Sequence, residues 1–204
     1  MIRPEPHTTL AASEASRFWG DAYVGAGKVF MLGNLVQFES SRPPASFPFP
    51  HATEDRLVVN NAIQLLSHWS QPQILAAVAG GTSNSLSAAF GGHLVRANSG
   101  KAYVPALQNT KSLGAVDIGA GQIEFYEDSS TGKRRLRAHV TDQNATYDLT
   151  VPAWAGRTKF LAGGPQAVQA DANNSTSIHL RVGLARAFAD APCYAQINGL
   201  YFQT

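Results

Sequence analysis

The 204-residue chain has a single cysteine, Cys193, only 15% charged residues and no apolar run near the length of a membrane span. One cysteine excludes an internal disulfide and a cysteine-rich zinc site, leaving a buried structural thiol as its reading. A bilayer-spanning helix needs about 20 apolar residues, and the opening MIRPEPHTTL lacks the apolar core of a signal peptide. The chain therefore reads as cytoplasmic, with no membrane partner. Its formal charge is +2 and it has no polybasic tail, so attraction of a polyanion has to come from a local patch. A nucleophile elbow, a His-Glu-x-x-His pair and a phosphate-cradling glycine loop are all lacking. Gly25-Ala26-Gly27-Lys28 has neither the spacing of such a loop nor a Ser/Thr after the lysine. No catalytic residue, cofactor or metal is expected.

What is present is a chain 44% hydrophobic, able to bury a full core, with eighteen glycines and eleven prolines breaking its apolar runs. That pattern favours a mainly β fold with a few short helices. Residues 8–19 read as a short helix, and Lys28 to Glu39 as a strand bent at Gly33. The four prolines of 42–50 exclude a helix or central strand. Asn60 or Asn61 would cap a helix over Ala62 to Trp69, and Ser70 with Gln73 has capping-box spacing for a second one, with Pro72 in its first turn and Gly80-Gly81 ending it. A short helix is expected around Ser85 to Phe90. Strands follow at 115–118, 122–127, 134–140, 147–151, 178–184 and 194–202, and the Gly/Ala/Asn-rich stretch 158–176 reads as a long loop. Trp19, Trp69 and Trp154 lie in apolar contexts and read as core or interface anchors.

The most telling stretch is Arg134 to Val151. Leu136, Ala138 and Val140 alternate with Arg135, Arg137 and His139, which in a strand separates a core face from a cationic solvent face. A turn at Gln143-Asn144 would return the chain as a hairpin through Tyr147, Leu149 and Val151. Lys133, Arg134, Arg135, Arg137 and His139, with Arg181 on a possible neighbouring strand, make the candidate nucleic-acid-binding face, and Tyr126 and Tyr147 could add stacking surfaces. The same pattern also suits a solvated face whose charges prevent strand aggregation. A second titratable group, Arg42, His51, Glu54, Asp55 and Arg56, could orient a nucleotide, or could cap a turn and pair internally.

In their order along the chain, these pieces resemble the dual OB-fold domain family of prokaryotic conflict systems. They are Ile2-Arg3-Pro4, Phe30 to Glu39, His51 with Glu54-Asp55, Arg134 to Val140, Tyr147 to Pro152, Gly183-Leu184, Phe188 and Cys193-Tyr194. Met1 stands where the family has tryptophan, Asp55 where it has asparagine, and Val151-Pro152 lacks its Thr-Asp. The resemblance implies two small OB-like barrels packed together, residues 1–112 with the short helical insert and 113–204, the first short of its opening strand. It also implies a non-catalytic subunit of a defence or mobile-element module that binds or senses nucleic acid or nucleotide and works with a larger effector protein. Two alternatives stay open: a structural adaptor docking that effector, and a small enzyme acting on nucleotides through His51, Glu54 and Asp55.

Overall fold

A computed structural model of the chain describes residues 3–6, 19, 22–42, 50, 53–143, 145–186 and 191–204. The expected helix over 8–19 and the proline-rich segment lie outside these residues, except for Trp19, Arg42 and Pro50. The fold is mainly β. Its chain divides into two units, Met1–Pro48 with Ala52–Gly80, and Phe49–His51 with Gly81–Thr204.

The smaller unit holds a three-stranded sheet, β1 (Arg3–Glu5), β3 (Asp55–His68) and β2 (Asn34–Ser41), in that order. β1 runs parallel to β3 with Arg3 opposite Asp55, and β2 runs antiparallel to it. β3 replaces the helix expected over Ala62 to Trp69. Asn60 and Asn61 both take left-handed backbone angles, φ 53° and 54°. Asparagine tolerates that region, and instead of capping a helix the pair forms a bulge where the pairing with β2 shifts register. The helix expected from Ser70 and Gln73 is α1 (Gln71–Val78), with both residues in a capping box and proline in the first turn. Gly25-Ala26-Gly27-Lys28 is a turn closed by the Lys28 N–H donating to the Gly25 carbonyl at 3.1 Å. Trp19 packs against Tyr23 and Phe30, each with ring centroids 4.8 Å away.

The larger unit is a curled half-barrel sheet of eight strands. They are β4 (Val95–Arg96), β5 (Ala102–Val104), β6 (Leu113–Gly119), β7 (Ile123–Asp128), β8 (Arg135–Asp142), β9 (Ala145–Thr150), β10 (Ser177–Leu184) and β11 (Cys193–Gln203). β7, β8 and β9 form an antiparallel meander. β11 pairs antiparallel with β10 and β5 and meets β9 in parallel at Gln196–Thr150. β10 in turn pairs with β6. Ser85 caps the four-residue α2 (Leu86–Ala89), accepting from the Ala88 N–H.

The stretch expected as a loop over 158–176 is instead largely α3 (Trp154–Asn173). Gly163 and the left-handed Gly164 interrupt it, and helix resumes at Pro165, whose missing N–H costs nothing in a first turn. Its buried residues are Gly156, Phe160, Val168 and Ala172, spaced by four within each half, so each half presents one face to the sheet. Gln169 accepts from the Phe125 N–H at 2.8 Å and donates to the Ile123 carbonyl at 3.3 Å, satisfying the backbone of β7 as an edge strand requires. Cys193 is free and buried. Among the described residues, no helix is long and apolar enough to cross a membrane.

β6 passes close over α2. A methyl group at Gly114 would lie 2.7 Å from the Ala89 Cβ and 3.1 Å from its carbonyl oxygen. Gly114→Ala is expected to cost about 1–3 kcal/mol through overpacking, read as a lower urea midpoint with an unchanged slope.

Candidate nucleic-acid interface

The basic strand divides its cations between two environments. Leu136, Ala138 and Val140 are buried as expected, but so is Arg137, only 6% exposed. The expectation that Arg137 belongs to a solvent face is therefore corrected. Its Nε donates to Asp148 Oδ1 at 2.9 Å and its Nη2 lies 2.8 Å from Asp148 Oδ2. Tyr126, expected as a stacking surface, completes this network. Its hydroxyl donates to Asp148 Oδ1 at 2.7 Å and accepts from Arg137 Nε at 3.0 Å. Burial, reinforced by the Asp148 carboxylate, raises the Tyr126 pKa above its ordinary value.

The other residues of that face separate as well. Exposed His139 lies with its ring 4.6 Å from that of Tyr126, its Nδ1 3.8 Å from Glu124 Oε2. Tyr147 packs against the core cluster instead of offering a free ring. Arg181 is not on a strand neighbouring β8, because β11 and β9 lie between β10 and β8. It is half-buried beside Gly199, where a Cβ would approach its own Cβ to 2.9 Å.

Lys133, Arg134 and Arg135 remain together, at the start of β8. With Arg157, Phe160 and Leu161 of α3 they line a cleft of about 370 Å³ whose apolar floor includes Leu136 and Val151. No carboxylate is among its lining residues. Arg134 donates to both Glu127 carboxylate oxygens, at 2.8 and 2.9 Å, and its guanidinium carbon lies 5.0 Å from the centroid of the Phe160 ring. Those hydrogen bonds hold the Glu127 carboxyl below its ordinary pKa. Arg134 is thus an oriented guanidinium, whereas the side chains of Lys133, Arg135 and Arg157 make no hydrogen bond or ion pair among the described residues, although Arg135 stands opposite Asp128 and, after the hydrogen bonds from Ser130, helps to lower the pKa of that carboxyl.

The sequence gives no sign that Arg157 and Phe160 join the basic strand, because Phe160 falls in the stretch 158–176 that reads as loop and no helix is expected before it. Once α3 is helical, Trp154, Arg157 and Leu161 fall at i, i+3 and i+7, along one face. Trp154, expected as a core or interface anchor, is 66% exposed, which corrects the core half of that expectation.

The second titratable group is structural in the parts described. Glu54 and Asp55 are buried beside β1, and Glu54 accepts from the Thr53 hydroxyl. Arg56 Nη1 donates to the carbonyls of Asp55 at 2.7 Å and Thr53 at 3.3 Å. Arg42 is exposed, and His51 lies outside the described residues. Among the described residues no group of three or more His, Cys, Asp or Glu side chains could hold a metal ion.

Removing the acid from the buried pair leaves the Arg137 charge uncompensated. Asp148→Ala is expected to cost about 3–5 kcal/mol in urea unfolding, against about 0.5 kcal/mol or less for Arg135→Ala. Burial also raises the Tyr201 pKa, with Arg181 acting in the opposite sense. The folded state therefore favours the neutral forms of Tyr126 and Tyr201. Their contribution to stability is full below about pH 10 and is lost as pH rises through the raised folded values. Ultraviolet titration of the native protein should show late-ionising phenols, one of which disappears in Tyr126→Phe.

No protein-family model, curated protein or solved structure matches the chain, so the cleft is interpreted from its own residues.

Proposed function

We propose that the protein is a non-catalytic nucleic-acid- or nucleotide-binding subunit, and that the cleft between the start of β8 and α3 is its binding site. The observation that carries this reading is the meeting of Lys133, Arg135 and Arg157, whose side chains make no hydrogen bond or ion pair among the described residues, over an apolar floor with no acid in the lining. Cations without partners supply phosphate contacts at no cost in broken ion pairs, and a concave wall of one sign concentrates anions. Arg134, held flat by Glu127 and Phe160, adds a guanidinium in a fixed orientation, suited to bidentate phosphate recognition or to stacking. Two OB-like halves and service beside a larger effector in a prokaryotic defence or mobile-element module form the setting that the family resemblance suggests for this site.

The test is fluorescence anisotropy of a labelled oligonucleotide over a salt series. Affinity should fall steeply with added salt, and Lys133→Ala, Arg135→Ala and Arg157→Ala should each weaken binding and flatten the log–log salt slope by about 0.7–0.9. Affinity and slope unchanged in the triple variant would remove the cleft from consideration.

A further inference from the structure

We infer that the ligand of this cleft is a single strand with unpaired bases, and that Trp154 and Arg134 are the platforms on which those bases stack. The inference rests on the binding role proposed above and assigns it a ligand class. Trp154 is among the exposed large hydrophobic residues of the described structure. It stands on the α3 face that carries Arg157 and Leu161, two turns or about 10 Å along the axis from Leu161, and just outside the cleft lining. An exposed indole beside cations that are in no ion pair is the pairing of groups that single-strand binding uses, with phosphates on the cations and bases on the ring. Arg134 supplies a second surface. Phe160 lies beneath its guanidinium and Glu127 fixes it, yet 54% of its side chain remains in solvent.

The geometry disfavours the other two forms of the ligand. A duplex keeps its bases stacked inside, so it can engage Lys133, Arg135 and Arg157 but leaves the apolar floor and the indole uncovered. A mononucleotide fits a cleft of about 370 Å³, but Trp154 lies outside the lining and gains little from it. Only a strand of several nucleotides reaches both.

The probes are a short fluorescein-labelled oligothymidylate, the same strand annealed to its complement, AMP, and heparin as a polyanion without bases. Trp154→Ala should weaken oligothymidylate binding about tenfold, Trp154→Phe should retain most of it, and AMP and heparin binding should change little in either. Native circular dichroism in both variants is expected, because the side chain is exposed. Wild-type oligothymidylate affinity in Trp154→Ala, duplex binding as tight as single-strand binding, or an equal loss of heparin binding would each overturn the inference. The Lys133→Ala/Arg157→Ala variant separates the two failures. If it loses binding while Trp154→Ala does not, stacking alone is wrong; if neither changes binding, the cleft is not the site.

Discussion

The packing of Phe160 beneath the Arg134 guanidinium ties the interior of the larger unit to its surface. The ring is 1% exposed and belongs to the core cluster, which requires α3 to lie close on the sheet. Gly156, one turn earlier, permits that approach: a Cβ there would lie 3.1 Å from Leu200 Cδ2 and 3.5 Å from both Leu136 and Val151. With the helix so seated, Arg157 faces the start of β8, and Arg134 rests its guanidinium on the aromatic face while Glu127 takes its hydrogen bonds. The cleft is thus a consequence of core packing, with its cations carried by a rigid strand and a helix that cannot shift without exposing Phe160.

The Arg137–Asp148–Tyr126 network does the corresponding work on the other face of the meander. A buried ion pair contributes little net stability, because desolvation offsets most of the attraction, but it discriminates strongly among alternatives. Tyr126 is opposite Arg137, and Asp148 is opposite His139, the next residue on that face of β8. A slip of one residue would turn Arg137 toward Leu136, Ala138 and Val140 and leave Asp148 without its partner. The pair therefore fixes the register that brings Lys133, Arg134 and Arg135 to the mouth of the cleft.

Much of this was legible in the residues, and the exceptions have definite causes. Alternation locates β8, β9 and β10 because period-2 burial is a local property, and the Ser70/Gln73 capping box is readable because capping is local too. Alternation identifies a face but not what covers it. Arg137 and Arg135 look alike in the sequence, and only the folded sheet places Asp148 against one of them. β3 stands where the residues suggest a helix because asparagine serves both helix caps and left-handed bulges, and pairing with β2 decides between them. α3 occupies most of the stretch that reads as loop because Gly163-Gly164-Pro165, a loop-like triplet, here joins two helical segments, each held by burial of its own face. With that helix unseen, neither Arg157 nor Trp154 could be joined to the basic strand.

The charge of the cleft is a matter of placement, not of composition. From Ile123 to Asn173 the chain carries six acidic and six Lys/Arg side chains, so the segment has no net charge with histidine neutral. Glu127, Asp148 and Asp171 are paired with Arg134, Arg137 and Lys159. Asp128 and Asp142 accept from the backbone N–H groups of Ser130 and Leu86, and Glu124 lies near His139. Lys133, Arg135 and Arg157 are outside any ion pair, with Asp128 opposite Arg135 as the acid that faces one of them, and all three line the cleft. Screening at physiological ionic strength attenuates the influence of charges more than about 8 Å away. An anion entering the cleft therefore responds to the four cations of its lining and also to two acids beside them, Glu127 on Arg134 and Asp128 opposite Arg135, which the four cations outnumber. A chain of near-neutral total charge can in this way hold a locally basic cleft without the indiscriminate attraction of a basic protein.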